Sequence, residues 1–106
     1  MKTSELTGAA LDWAVAQCEG ISVRNGFDDN CPEYSTNWTQ GGPIVEREWV
    51  DLHCVNDSLW EAECPAPCGL AMQNGPTPLI AAMRCYVASK MGHAVNVPEE
   101  LCLHTA

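Results

Sequence analysis

The amino-acid sequence predicts an α+β domain with two principal helices packed on one face of a small antiparallel sheet. Three observations lead to this prediction: helical apolar spacing near residues 7–19 and 77–91, two alternating segments joined by a polar turn, and a length of 106 residues. A chain of this length buries enough apolar surface for one modest core and too little for a second. We therefore expect residues 1–106 to form a single domain.

The first helix is predicted over residues 7–19 by an apolar stripe whose ends suit a helix. Thr7 is a good N-cap, and Gly20 can adopt the left-handed conformation that often follows a helix. The stripe has the i, i+3, i+4, i+7 spacing and consists of Leu11, Ala14, Val15 and Cys18.

The segment after this helix has weaker signals. Residues 21–23 alternate like a short strand, Asn25-Gly26 is a turn signal, and a second short strand is expected to begin at Glu33-Tyr34. Two brief helical pieces are then predicted, one over residues 35–38 and a separate one that starts within residues 40–43.

A β-hairpin is predicted from Trp49–Cys54 and Trp60–Cys64, which alternate and flank the polar turn Asn56-Asp57-Ser58. Because proline has no backbone N–H, the segment Cys64–Gly69 should not continue the ladder. A further short strand is expected over Leu70–Met72.

The second helix is predicted over residues 77–91 by a threonine N-cap, a proline at the first helical position and Gly92 after the end. Beyond it, Val95 and Val97 predict an edge strand. A terminal turn is expected over residues 99–101.

The charge balance disfavours two classes of partner. The 5 Lys and Arg side chains against 14 Asp and Glu give a formal net charge of −9, which opposes direct binding to nucleic acid and to anionic membranes. No apolar run approaches the roughly 20 residues that cross a bilayer, and Met1–Glu5 lacks the basic and then apolar pattern of a signal peptide. We expect a cytoplasmic protein, and basic partners remain open.

The 7 cysteines do not form a recognised metal or redox motif. The hairpin would bring His53, Cys54, Cys64 and Cys68 near one another, and four such ligands could hold zinc. Cys64 and Cys68 have a zinc-like spacing, but no second ligand pair follows, and neighbouring strand residues point to opposite faces. The sequence therefore favours small buried residues and loop thiols, with no metal and no cofactor.

Catalysis has little support in the sequence. The three histidines, His53, His93 and His104, are scattered, and none belongs to a nucleophile motif. An enzyme would need a pocket that joins His53 or His93 to a thiol or a carboxylate. We expect a protein that is not an enzyme.

A small-ligand site is predicted around Trp38, which lies in the polar segment 35–40. Its indole offers a flat stacking surface, and the hydroxyl and amide groups beside it can form hydrogen bonds. In so acidic a chain, arginines are natural anchors for a phosphate. The predicted ligand-binding residues are Ser35, Thr36, Trp38, Gln40, Arg47 and Arg84. The alternative is that Trp38 caps the core and the arginines pair with nearby acids.

Three blocks of the sequence, residues 1–16, 34–48 and 77–90, resemble the phage NinX-like family of small proteins. The resemblance implies a phage or prophage accessory protein in the cytoplasm of a bacterial host, and it brings no established activity. The turn Tyr34–Trp38 is shorter than the Tyr-Ser-Pro-Ser-Thr-Asp-Trp common in that family, and residues 51–74 differ from it. The chain also resembles, less specifically, phage proteins that sequester nucleotide-derived immune signals.

Two functions are consistent with these residues. The first is a non-catalytic accessory protein that counters host defence by sequestering a small nucleotide-derived ligand at the Trp38 turn. The alternative is an acidic interaction module that binds and blocks a basic surface of a host or phage protein. An exposed edge strand would also allow a homodimer.

Overall fold

The computed structural model describes residues 1–21, 31–67 and 69–98, in which it places three α-helices and one three-stranded antiparallel sheet. The helices are α1 (Gly8–Cys18), α2 (Trp38–Arg47) and α3 (Pro78–Met91), and a short 3-10 helix spans Thr3–Glu5. The strands are β1 (Asp51–Asn56), β2 (Leu59–Ala66) and β3 (Gly69–Gly75), in the order β1-β2-β3. These elements confirm the predicted α+β fold class.

The central element is α3, which packs on one face of the sheet and also contacts α1 and α2. The larger core cluster lies mainly among the helices and includes Leu11, Val15, Met83 and Tyr86. A smaller cluster joins α3 to the sheet and consists of Ala62, Cys64, Ala81 and Cys85. Within the described residues, no helix is long and apolar enough to cross a membrane.

Small residues let α3 approach the sheet closely. At Gly75 in β3, an added Cβ atom would lie 2.6 Å from the backbone N of Ala81 and 3.0 Å from its Cα. Backbone atoms in a close-packed interior cannot move aside as a flexible side chain can. The contact therefore requires a residue without a side chain at position 75.

The two predicted principal helices form close to their expected bounds. α3 begins as predicted, because the Thr77 hydroxyl accepts a hydrogen bond from the N–H of Ile80 at 3.1 Å. Glycines with positive φ follow both helices, Gly20 at 73° and Gly92 at 83°. Thr7 precedes α1 in an extended conformation but makes no side-chain cap, so only its backbone carbonyl supports the helix start.

The two brief helical pieces expected between residues 35 and 43 form one helix, α2, and the predicted start of a separate helix near Pro43 is wrong. Asn37 caps α2, because its side-chain oxygen accepts a hydrogen bond from the N–H of Thr39 at 2.9 Å. Pro43 removes one helical donor at an exposed position, whereas Ile44 beside it is only 2% exposed. Burial of this side keeps the helix continuous through the proline.

Upstream of α2, Glu33-Tyr34 belong to a turn, and the strand expected to begin there is wrong. The Glu33 carbonyl accepts hydrogen bonds from the N–H groups of Thr36 and Asn37 at 3.3 and 2.9 Å. This carbonyl therefore bonds within the turn and not to a neighbouring strand. Ile21 is outside any strand. The other predictions for residues 22–30 lie outside the described residues.

β2 continues through Pro65, so the expectation that proline ends the ladder is wrong. Pro65 pairs in register with Leu70 of β3. The last pair between β1 and β2 is Asp51 with Glu63, so β2 has one open edge beyond that point. A proline is tolerated where its missing N–H faces an open edge.

The edge strand expected at Val95 and Val97 is wrong, because only a single antiparallel bridge forms there, between Lys2 and Ala94. Pairing stops because the chain enters the 3-10 helix directly after Lys2. The terminal turn predicted over residues 99–101 lies outside the described residues.

Candidate ligand site

Trp38 lies at the start of α2, on the wall of a cavity of about 250 Å³. The indole is half-exposed, with 50% of its accessible surface retained, so a flat group can stack on it. The lining residues are Ser35, Thr36, Trp38, Thr77, Pro78, Leu79 and Ile80. The structure thus brings Ser35, Thr36 and Trp38 together, and it adds the first turn of α3 as the opposite wall.

Ser35 is anchored to α1 through Asp12. The Ser35 N–H donates a hydrogen bond to Asp12 Oδ1 at 2.8 Å, and both residues are buried. Burial raises the pKa of Asp12, although its interactions with Ser35 oppose that rise. The Ser35 hydroxyl is close enough to Asp12 to contribute to that effect, yet it forms no hydrogen bond of ordinary geometry. Ser35 is only 1% exposed, so its hydroxyl is shielded from the cavity, and the residue forms part of the cavity wall.

Gln40 and Arg47 lie apart from this cavity. Gln40 is exposed on α2 and does not line the cavity. Arg47 is at the opposite end of α2 from Trp38, about 14 Å away along the axis, because a helix rises about 1.5 Å per residue. Its guanidinium donates to both carboxylate oxygens of Glu19 at 3.0 and 2.6 Å and to Glu48 at 2.8 Å. For Arg47, the geometry agrees with the alternative that the arginines pair with nearby acids.

Glu19 connects Arg47 to Tyr86. The Tyr86 hydroxyl donates to Glu19 Oε2 at 2.5 Å, and the Arg47 guanidinium lies 5.7 Å from the centre of the Tyr86 ring. The hydrogen bond from Arg47 lowers the pKa of Glu19, whereas burial and then the hydrogen bond to Glu19 raise the pKa of Tyr86. The three groups tie the ends of α1 and α2 to α3, which leaves Arg47 little capacity for a phosphate.

A larger cavity of about 510 Å³ lies against Arg84. The half-buried guanidinium donates to the carbonyls of Leu6 at 2.7 Å and Asn74 at 2.9 Å, and burial lowers the pKa of Arg84. None of the ion pairs within residues 1–21, 31–67 and 69–98 involves Arg84. The polar lining of this cavity includes Ser4, Ser58, Gln73 and Asn74. A partly buried cation without a carboxylate partner is suited to bind an anion.

Three of the four residues considered for zinc are separated by the fold. Cys54 pairs with Trp60, which places it about 14 Å along the ladder from Cys64, at about 3.4 Å per residue. His53 alternates with residues on the face covered by α3 and so lies on the opposite face. Cys68 lies outside the described residues. In the described part of the chain, no group of three His, Cys, Asp or Glu side chains could hold a metal ion.

Cys64 contacts Cys85 of α3, a partner that the sequence does not indicate because 21 positions separate the two. Both thiols are buried, and their Sγ atoms are 3.3 Å apart. The contact with Cys64, together with burial, raises the pKa of the Cys85 thiol. The pair contributes to the packing between the sheet and α3.

A small hollow joins His53 to the carboxylates of Asp51, Glu61 and Glu63. This is the pairing of a histidine with carboxylates that an enzyme would need. The hollow has a volume of about 50 Å³, whereas one water molecule takes up about 30 Å³ in the liquid. A hollow of this size is too small to enclose a substrate molecule.

Trp49 is a second exposed tryptophan, and it does not begin a strand as the alternation suggests. It follows α2 with φ at 56° and retains 79% of its accessible surface. The N–H groups of Trp49 and Val50 donate to the carbonyls of Glu46 and Val45 at 3.4 and 3.0 Å. In this type of helix ending, glycine usually takes the left-handed position. Because no glycine is present here, the sequence carried no local signal for the end of α2.

Comparison with known proteins identifies the family. The family model described as Bacteriophage P22, NinX matches residues 2–90, including the hairpin that the three resembling blocks leave out. The chain therefore belongs to this family, and the resemblance is confirmed. No curated protein matches the chain.

Proposed function

We propose that this member of the NinX family, a phage accessory protein, binds a small nucleotide-derived ligand at the Trp38 cavity and withholds it from a host defence system. The observation that carries the proposal is the half-exposed indole of Trp38 on the wall of a cavity that the exposed residues Thr36 and Thr77 also line. A base would stack on the indole, and the exposed hydroxyls of Thr36 and Thr77 would bind its polar edge. Ser35 would hold the turn in place through its hydrogen bond to Asp12.

The size of the cavity limits what it would enclose. Its volume of about 250 Å³ is below the roughly 300 to 1,000 Å³ of pockets that enclose a whole drug-sized ligand. The cavity would therefore take one base, and the remainder of the ligand would lie outside. The positive end of the α3 dipole favours a negative group close to the cavity wall. Gln40 and Arg47 lie outside the proposed site.

Arg84 offers an anchor for the phosphate. The Arg84 cavity and the Trp38 cavity take lining residues from the same connection between β3 and α3, with Pro76 in the first and Thr77 in the second. A ligand with its base on Trp38 would extend its phosphate across this connection toward Arg84. No carboxylate among the described residues forms an ion pair with that guanidinium.

Calorimetric titration with cyclic dinucleotides and ADP-ribose derivatives tests the proposal. Trp38→Ala is expected to weaken binding about 10-fold or more, because stacking of one base on an aromatic side chain contributes about 1–3 kcal/mol. Trp49→Ala is the matched control, since Trp49 lies at the other end of α2 and outside the cavity. Adenosine is expected to bind more weakly than ADP-ribose, because it has no phosphate for Arg84.

Two results would contradict the proposal. One is that no compound in the series binds the folded protein. The other is that Trp38→Ala and Trp49→Ala lower the affinity equally, which would mean that the ligand does not bind at the Trp38 cavity. Both tryptophans are exposed, so circular dichroism should show an unchanged fold in both variants.

A further inference from the structure

The side of the sheet that α3 does not cover has a distinct composition, and we call its residues Asp51, His53, Glu61, Glu63, Leu70 and Met72 the outer sheet face. In β2, Ala62 and Cys64 are buried under α3, so the alternate residues Glu61 and Glu63 point away from the helix. The ladder register places Asp51 and Met72 on either side of Glu63, and it pairs His53 with Glu61. Leu70 lies two positions before Met72 on the same face of β3.

Two large apolar side chains on the outer sheet face are exposed. Leu70 retains 64% of its accessible surface and Met72 retains 60%. The solvent side of an antiparallel sheet normally carries polar residues. Exposed apolar side chains that lie together beside charged groups are typical of interaction surfaces.

The carboxylates of Asp51, Glu61 and Glu63 have no cationic partner within the described part of the chain. Every ion pair found there uses Glu19 or Glu48 as its acid. Asp51 and Glu63 are directly opposite each other in the register, and Glu61 is the next residue of β2 on the same face. Like charges in opposed positions destabilise a sheet. A cationic partner would relieve this repulsion.

We propose that the outer sheet face binds a basic, amphipathic segment of another protein. Lys or Arg side chains of that segment meet the three carboxylates, and its apolar side chains cover Leu70 and Met72. Charge complementarity selects this partner. The surface is separate from the Trp38 cavity, and it gives the acidic interaction module a location in the fold.

The same charges argue against other occupants. A second copy of this chain that docked through the same face would place identical carboxylates against one another. The segment 99–106 of this chain contains Glu99 and Glu100 and no Lys or Arg, so its charge does not match the surface. Nucleic acid would be repelled, because its backbone is negatively charged.

A fluorescein-labelled peptide of alternating Arg and Leu residues is the probe, titrated by fluorescence anisotropy. The double substitution Glu61→Gln/Glu63→Gln is expected to raise the Kd about 10-fold or more. The control Glu5→Gln/Glu46→Gln removes the same charge from exposed positions elsewhere and is expected to change the Kd less than about 2-fold. Met72→Gln is also expected to raise the Kd, because the surface loses part of its apolar area.

Three outcomes would overturn the proposal. Equal weakening by the two double substitutions would mean that net charge alone attracts the peptide. An unchanged Kd for Met72→Gln would mean that apolar contact plays no part. Failure of the peptide to bind at low salt would mean that the outer sheet face does not bind basic, amphipathic segments. The substituted side chains are exposed except that of Glu63, which is partly buried, and circular dichroism of each variant verifies that the fold is retained.

Discussion

The two faces of the sheet come from the same three strands, but α3 covers only one of them. On the inner face, Ala62 and Cys64 are each 1% exposed, because Ala81 and Cys85 of α3 pack on them. The outer sheet face carries exposed apolar side chains and carboxylates that form no ion pair with any cation among the described residues. Alternation along a strand determines which residues share a face. The helix that packs on one side then determines which face becomes core and which stays available to another molecule.

The largest expected difference between the covered and uncovered regions is in stability. Met83→Ala should lower the free energy of unfolding by about 3 kcal/mol, because Met83 is 0% exposed and its loss leaves a cavity. Met72→Ala is the matched control on the outer sheet face and should change it by less than about 0.5 kcal/mol. Urea denaturation measures both values. Similar losses for the two methionines would mean that the outer sheet face is also covered.

The close approach of α3 to the inner face predicts the next largest effect. Gly75→Ala should lower the free energy of unfolding by about 2 kcal/mol, because the new Cβ would overlap the backbone of Ala81. In α2, Gly42→Ala meets only Trp38 Cε3 at 3.6 Å and should stabilise the protein by up to about 1 kcal/mol. Thermal unfolding of both variants checks the opposite signs, and a neutral Gly75→Ala would disprove the close contact.

A smaller difference in stability is expected between Glu19, which pairs with Arg47, and Glu63, which forms no ion pair among the described residues. Glu19→Gln should destabilise the protein by about 1 kcal/mol, because it weakens the hydrogen bonds to Arg47 and Tyr86. Glu63→Gln should leave stability unchanged or raise it by roughly 0.3 kcal/mol, because it removes repulsion from Asp51. Denaturant titrations at low salt resolve the two. A clear loss for Glu63→Gln would show that its carboxylate has a stabilising partner.

The smallest expected effect is on the pH dependence of stability, where Asp12 and Glu19 should contribute with opposite signs. The pKa of Asp12 is raised in the fold, so its contribution is present below the ordinary pKa and is lost as pH rises through the folded value. Asp12→Asn should therefore gain stability relative to the unaltered protein between about pH 3 and pH 7. The pKa of Glu19 is lowered, so Glu19→Gln should lose relative stability over the same range. Parallel curves for the two variants would contradict both assignments.

Most elements were predictable because their signals are local. The apolar stripe of α1, the threonine and proline at the start of α3, and the alternation of β1 and β2 each lie within one short segment. The structure differs where burial outweighs a local rule. α2 passes through Pro43 because Ile44 is buried, and β2 passes through Pro65 because β1 has ended. Trp49 occupies a position usual for glycine, which no local rule would assign to it.

The sequence by itself determined the fold class, the family, and the turn that places Ser35 and Thr36 beside Trp38, because these depend on neighbouring residues or on the chain as a whole. Only the tertiary structure decided what the arginines do. Arg47 meets Glu19 across 28 positions, and Arg84 meets the Leu6 carbonyl across 78. Such partners come together only when α3 packs against the other elements. For the same reason, the sequence shows only the net charge, whereas the packing of α3 shows which carboxylates form no ion pair within the described part of the chain.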